Sequence, residues 1–193
     1  MSHTLYSHTF DGLQVRTGDI LCTRDGAPGS LFGEIWRQLG RLVPGEIDHV
    51  VLYVGPDGRC IESGIKGVIV FDMPGEHWDG LALAGQRILQ DSLVGVAYPL
   101  AGRGLSPEEE ERIRRGVADY CLGQAAKGRA YNINIFDLEN TARFYCSQLI
   151  YHAYLRFGID LNCNIGVPTA LGLDRIVFPE EIWRACPTRR IPT

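Results

Sequence analysis

The sequence predicts an α+β domain, and three observations carry that prediction. β-favouring runs cluster in the first half of the chain, at residues 18–23, 48–55, 60–63 and 67–72. A strongly signalled helix opens at Ser106. An apolar-striped helix opens at Cys146 and stops at Gly158. Strands gathered early, with helices towards both ends, fit segregated rather than alternating elements.

The first strand follows the turn glycine Gly18, and residues 25–29 (Asp-Gly-Ala-Pro-Gly) read as a loop. Ser30 can cap a helix to about Leu39, with Leu31, Phe32, Ile35, Trp36 and Leu39 at helical spacing. Pro56-Asp57-Gly58 has turn chemistry between two strand runs. Residues 81–89 read as one further strand. At Ser106-Pro107-Glu108-Glu109, serine supplies the N-cap, proline the first turn and glutamate the capping-box position. That helix is expected to end near Gly123. Pro179 opens a short helix through Trp183.

At 193 residues the chain fits a single domain spanning 1–193, with residues 1–16, which hold His3 and His8, as a leader. Its 45% hydrophobic and 22% charged residues are ordinary for a globular protein. A net charge of −4 provides no basic footprint for nucleic acid and no polybasic membrane patch. No apolar stretch approaches bilayer-spanning length, so no stable membrane insertion is expected. The N-terminal residues lack a positive start followed by an apolar core, so no secretory signal is expected. The six scattered cysteines read as reduced thiols in a cytoplasmic protein. Without Cys-x-x-Cys or His-Glu-x-x-His, neither metal nor cofactor is expected.

Two residues concentrate chemistry. Cys146 lies in the first turn of its helix, on the stripe of Leu149, Ile150, Ala153, Tyr154 and Phe157. Unpaired N–H groups and partial positive charge there favour thiolate. Cysteine also packs as a small hydrophobe, so burial alone would not single it out. His49 opens an apolar strand, on the face shared by Val51 and Tyr53. A histidine base needs a partner that fixes its tautomer, and Glu62 on the next strand is the best candidate. A hairpin centred between Gly55 and Pro56 puts Glu62 opposite His49. One centred on Asp57-Gly58 puts it opposite Tyr53, roughly 13 Å along the strand. Asp-Gly is the favoured tight turn, so the functional pairing requires a bulge or a wider loop. Asp48 points to the opposite face and is no substitute. Tyr131 and Asn132 suit a sheet edge, His152 faces away from Cys146, and His77 and Trp78 sit in a loop.

The ordered set Thr17-Gly18-Asp19-Ile20-Leu21, Asp48-His49-Val50-Val51-Leu52-Tyr53-Val54-Gly55, Ile61-Glu62-Ser63 and Tyr145-Cys146-Ser147-Gln148-Leu149-Ile150 resembles the YiiX/YebB-like group of circularly permuted NlpC-type papain-like proteins. Histidine before cysteine is the permuted order, shared with lecithin:retinol acyltransferase-like proteins. The resemblance spans roughly residues 17–183. It implies a papain-like domain with an antiparallel barrel-like sheet and the nucleophile helix packed against it. It also implies Cys146 as nucleophile, His49 as base and Glu62 as the orienting residue. Asp48 stands where serine is frequent, and Gln148 where glutamate is common.

The expected function is a cysteine hydrolase of amidase or peptidase type acting on a small peptide or amide. The alternative is a lipid acyl hydrolase, acyltransferase or thioesterase. A third class, a binding module without turnover, is opposed by the intact Cys146 and His49.

Overall fold

A computed structural model describes residues 3–25, 45–164 and 176–192. Of the expected loop at 25–29, Asp25 instead ends a strand, and the remainder lies outside these residues, as does the helix expected from Ser30. Ten strands are described: β1 (Ser7–Phe10), β2 (Leu13–Arg16), β3 (Ile20–Asp25), β4 (His49–Tyr53), β5 (Arg59–Gly64), β6 (Gly67–Asp72), β7 (Asp91–Ala97), β8 (Ala130–Tyr131), β9 (Arg143–Phe144) and β10 (Thr188–Arg190). The helices are α1 (Ala84–Arg87), α2 (Pro107–Ala126), α3 (Cys146–Leu155) and α4 (Pro179–Ala185).

The main sheet is antiparallel, with strand order β10-β7-β3-β4-β5-β6. The protein is therefore α+β, as its strand clustering predicts. The sheet is open, which corrects the expected barrel-like closure: β10 and β6 form its two edges and do not pair with each other.

Both faces of this sheet are covered. On one, Ile20, Val50, Leu52 and Ile61 meet Ile113, Val117 and Cys121 of α2 and Leu149, Ile150 and Ala153 of α3. On the other, Leu21, Val51, Tyr53, Cys60 and Val96 meet Phe10, Leu13, Val15 and Trp78. Burial on both faces explains why β4 is an unbroken apolar run rather than an alternating one.

The second cluster corrects the leader reading. Residues 7–16 form the β1–β2 hairpin, and Phe10 and Val15 are fully buried beneath the sheet. Four-residue strands with mixed polarity carry little periodic signal, and their packing surface is supplied by distant strands. The expected strand at 81–89 is also corrected. Leu83 and Arg87 are buried four residues apart, which is helical spacing, and α1 occupies this stretch. The strand lies just downstream as β7, where Gly95 leaves space for the Arg189 carbonyl of β10.

α2 begins as expected, with Ser106 Oγ accepting from Glu109 N–H at 3.2 Å, and extends past Gly123 to Ala126. No helix among the described residues is long and apolar enough to cross a membrane.

Candidate active site

The site assembles from three elements, two of them at their first residue. His49 is the first residue of β4, Cys146 the first of α3, and Glu62 lies within β5. All three are buried. Strand alternation sends His49 to the Val51–Tyr53 face, while Cys146 belongs to the helix-side cluster. The two meet because each begins its element. β4–β5 pairing ends at Leu52–Ile61, before His49 is reached.

The β4–β5 hairpin resolves the register. Arg59 N–H donates to the Pro56 carbonyl at 3.0 Å, closing a turn in which Asp57 and Gly58 both have positive φ, 56° and 73°. This is the primed turn that Asp-Gly favours. Continued without interruption, it would pair Glu62 with Tyr53. Instead, Val54 and Gly55 N–H both donate to the Arg59 carbonyl, at 2.9 and 3.1 Å. That bulge shifts the ladder to Tyr53–Cys60 and Leu52–Ile61. One further step sets Glu62 beside Val51, on the face of His49 and two residues from it. Neither register considered from sequence is the one adopted.

A diagonal neighbour two residues along is within side-chain reach, and Glu62 Oε2 lies 2.7 Å from His49 Nε2. A carboxylate only accepts, so Nε2 carries the proton and Nδ1 is left to face the thiol. His49 is also hydrogen-bonded to Cys146. Burial works against charge on the imidazole, but Cys146 and Glu62 outweigh it and hold the ring protonated well above its usual range. Glu62 is likewise buried, which alone would raise its pKa. His49 and Arg87 overcome that and keep it ionised.

Arg87 has no place in the sequence reading. Its Nε and Nη2 donate to Glu62 Oε1 and Oε2 at 3.0 and 2.7 Å. Nη1 and Nη2 donate to Asp91 Oδ1 and Oδ2 at 2.8 and 2.9 Å. Thr23 Oγ1 and Trp78 Nε1 donate to Asp91 at 2.7 and 3.1 Å. The guanidinium centre lies 4.6 Å from the Phe71 ring centre and 5.2 Å from that of Trp78. The available signal was a lone charge in the mostly apolar stretch 81–89, with an aspartate four residues on.

The loop before α3 is fastened to its first turn. Gln148 Oε1 accepts from Tyr145 N–H and Asn132 Nδ2 at 3.2 and 3.1 Å. Its Nε2 donates to the carbonyls of Asp137, Leu138 and Asn140 at 3.0, 2.9 and 3.1 Å. Ser63 Oγ, next to Glu62, donates to the Phe144 carbonyl at 2.6 Å and joins β5 to the strand that leads into Cys146. Ser147 Oγ donates to the Val177 carbonyl at 2.6 Å.

The lower-ranked residues fall elsewhere. Asn132 is buried beside Gln148, His152 Nε2 meets the Leu138 carbonyl at 2.6 Å, and exposed His77 pairs with Asp11. None of the six cysteines is in a disulfide, and burial pushes the thiols of Cys22, Cys60, Cys121 and Cys186 up. Among the described residues, no group of three His, Cys, Asp or Glu is placed to hold a metal ion. No family model, curated protein or solved structure matches the chain.

Proposed function

We propose that the protein is a cysteine hydrolase cleaving an amide or peptide bond, with Cys146 as nucleophile, His49 as base and acid, and Glu62 as the orienting carboxylate. One observation carries the reading: two neighbouring strands and a helix far along the chain bring their side chains together in the bonding order Cys146–His49–Glu62. That order is what a thiol nucleophile requires.

In the first step His49 Nδ1 holds the proton of the Cys146 thiol, and Sγ attacks the substrate carbonyl carbon. The carbonyl oxygen takes the electron pair, and backbone N–H groups in the first turn of α3 stabilise it. Collapse breaks the C–N bond as His49 protonates the leaving amine, leaving a thioester on Cys146. His49 then takes a proton from water, hydroxide adds to the thioester carbonyl, and the C–S bond breaks, releasing the acid and restoring the Cys146 thiolate beside protonated His49. The open sheet is compatible with this chemistry, which needs the three converging side chains rather than a closed barrel. The permuted papain-like assignment rests on the sequence order of histidine and cysteine. A cytoplasmic setting would keep the thiol reduced. The acyl hydrolase alternative has one observation in its favour. Ile133 and Phe136 are largely exposed, on the stretch that Gln148 holds against the first turn of α3.

The test is labelling with an electrophilic thiol reagent, site mapping by mass spectrometry, and competition by peptide and acyl substrates. Labelling should fall on Cys146, vanish in Cys146→Ala and drop sharply in His49→Ala. Preferential labelling at any other cysteine, or wild-type turnover by Cys146→Ala on a substrate found this way, would end the proposal.

A further inference from the structure

The mechanism above uses Glu62 but not the two charges behind it. An arginine forked onto a carboxylate offsets the negative potential that a histidine on the same carboxylate needs. Glu62 and Arg87 sum to zero charge, and their side chains are sealed from solvent. On its own this pair would give His49 a dipole rather than an anion.

Asp91 changes that sum. Its side chain is also sealed, and it takes two Arg87 N–H groups on the side away from Glu62. Glu62, Arg87 and Asp91 together carry one net negative charge. The rings of Phe71 and Trp78 flank the guanidinium, and Thr23 and Trp78 fix the Asp91 carboxylate. The charges alternate from His49 through Glu62 and Arg87 to Asp91. Thr23 also closes the arrangement geometrically, since it pairs directly across from His49 in the β3–β4 ladder.

We propose that Asp91 is a positioning residue acting through Arg87: it keeps Arg87 from neutralising Glu62, so that the buried cluster holds His49 in its charged form. The catalytic consequence rests on the hydrolase reading above. The electrostatic claim does not. Among the described residues, the titratable groups bonded to His49 are Cys146 from α3 and Glu62 from β5, with Arg87 of α1 and Asp91 of β7 behind Glu62. The His49 neighbour Asp48 precedes β4 and is half-buried.

The test follows the His49 ring by NMR against pH in protein carrying Cys146→Ala. Removing the nucleophile makes the result independent of whether Cys146 turns over any substrate. Asp91→Asn keeps the shape and removes the charge. The His49 midpoint should fall by about one pH unit. A folded Asp91→Asn protein with an unchanged or raised midpoint overturns the proposal. Trp78→Phe decides the matter if Asp91→Asn does not fold. It deletes one donor to Asp91 and leaves more of the carboxylate's charge for Arg87, so the midpoint should rise by a few tenths of a pH unit. A fall, or no change, overturns the proposal. With Cys146 present, the alkaline limb of its alkylation rate should move in the same direction as the His49 midpoint in each variant.

Discussion

Glu62 and His49 are diagonal neighbours, not opposite ones. Their Oε2–Nε2 contact of 2.7 Å spans two residues of offset between β4 and β5. The offset is set by two amides, Val54 and Gly55, which share the Arg59 carbonyl. Without that sharing, the offset would be four residues and the carboxylate would be out of reach.

The turn that sets this register is therefore expected to govern both stability and the reactivity of Cys146. Gly58 has φ 73°, and an added Cβ would collide with the Met73 carbonyl. Gly58→Ala should cost about 2 kcal/mol, readable as a lowered urea midpoint. It should also lengthen the His49–Glu62 contact and slow Cys146 labelling. A variant of wild-type stability and labelling rate would detach the turn from the site.

Glu62→Gln replaces an acceptor-only group by an amide. The amide N–H₂, set against His49 Nε2, favours the tautomer with Nδ1–H towards the thiol, which is the wrong one for a base. On a confirmed substrate, kcat/KM should fall on the order of a thousandfold. A loss confined to KM would instead place Glu62 in substrate binding.

Charge in the pair fixes a pH window. Burial opposes the imidazolium, yet Cys146 and Glu62 lift His49 from 6.5 to about 10. Burial opposes the Glu62 carboxylate, yet His49 and Arg87 lower it from 4.5 to about 2. The His49 contribution is complete below 6.5 and disappears as pH rises through about 10. The Glu62 contribution is complete above 4.5 and disappears as pH falls through about 2. The stability advantage of wild type over His49→Asn should peak between those inner limits and shrink on both sides in urea titrations. An advantage that grows from neutral to alkaline pH would contradict a charged His49.

Arg87 is the most costly single removal in the site. Arg87→Met leaves Glu62 and Asp91 buried together without their shared cation. A loss of about 3–5 kcal/mol is expected in denaturant unfolding. A loss below about 1 kcal/mol would mean that water or rearrangement satisfies both acids.

Gln148 ties the loop before α3 to the first turn of that helix. Its Nε2 serves three carbonyls at once, and no carboxylate can donate to any of them. Gln148→Glu should destabilise by on the order of 3 kcal/mol and loosen residues 132–140, seen as faster amide exchange there. Unchanged exchange would show that the loop is held by other contacts.

The elements that position the site were legible because their signals are local. Apolar runs with turn residues mark β4, β5 and β6, and Ser106-Pro107 marks the start of α2. Cys146 was placed at the first residue of its helix, which the structure reproduces. Gly95 interrupts the apolar run of β7, which the sequence does not signal, and the apolar stretch 81–89 is too short for periodicity to tell the helix α1 from a strand. The β1–β2 hairpin was missed because its partners lie elsewhere in the chain.

The sequence by itself determined which residues could meet, by placing His49 and Cys146 at element starts and Glu62 on the neighbouring strand. Tertiary structure decided whether they would. A bulge costs one shared carbonyl and is nearly invisible in composition, yet it halves the offset between Glu62 and His49. The clamp by Arg87 and Asp91 is likewise beyond local reading. Its charges matter only once burial removes the solvent that would screen them, and burial is a property of the whole fold.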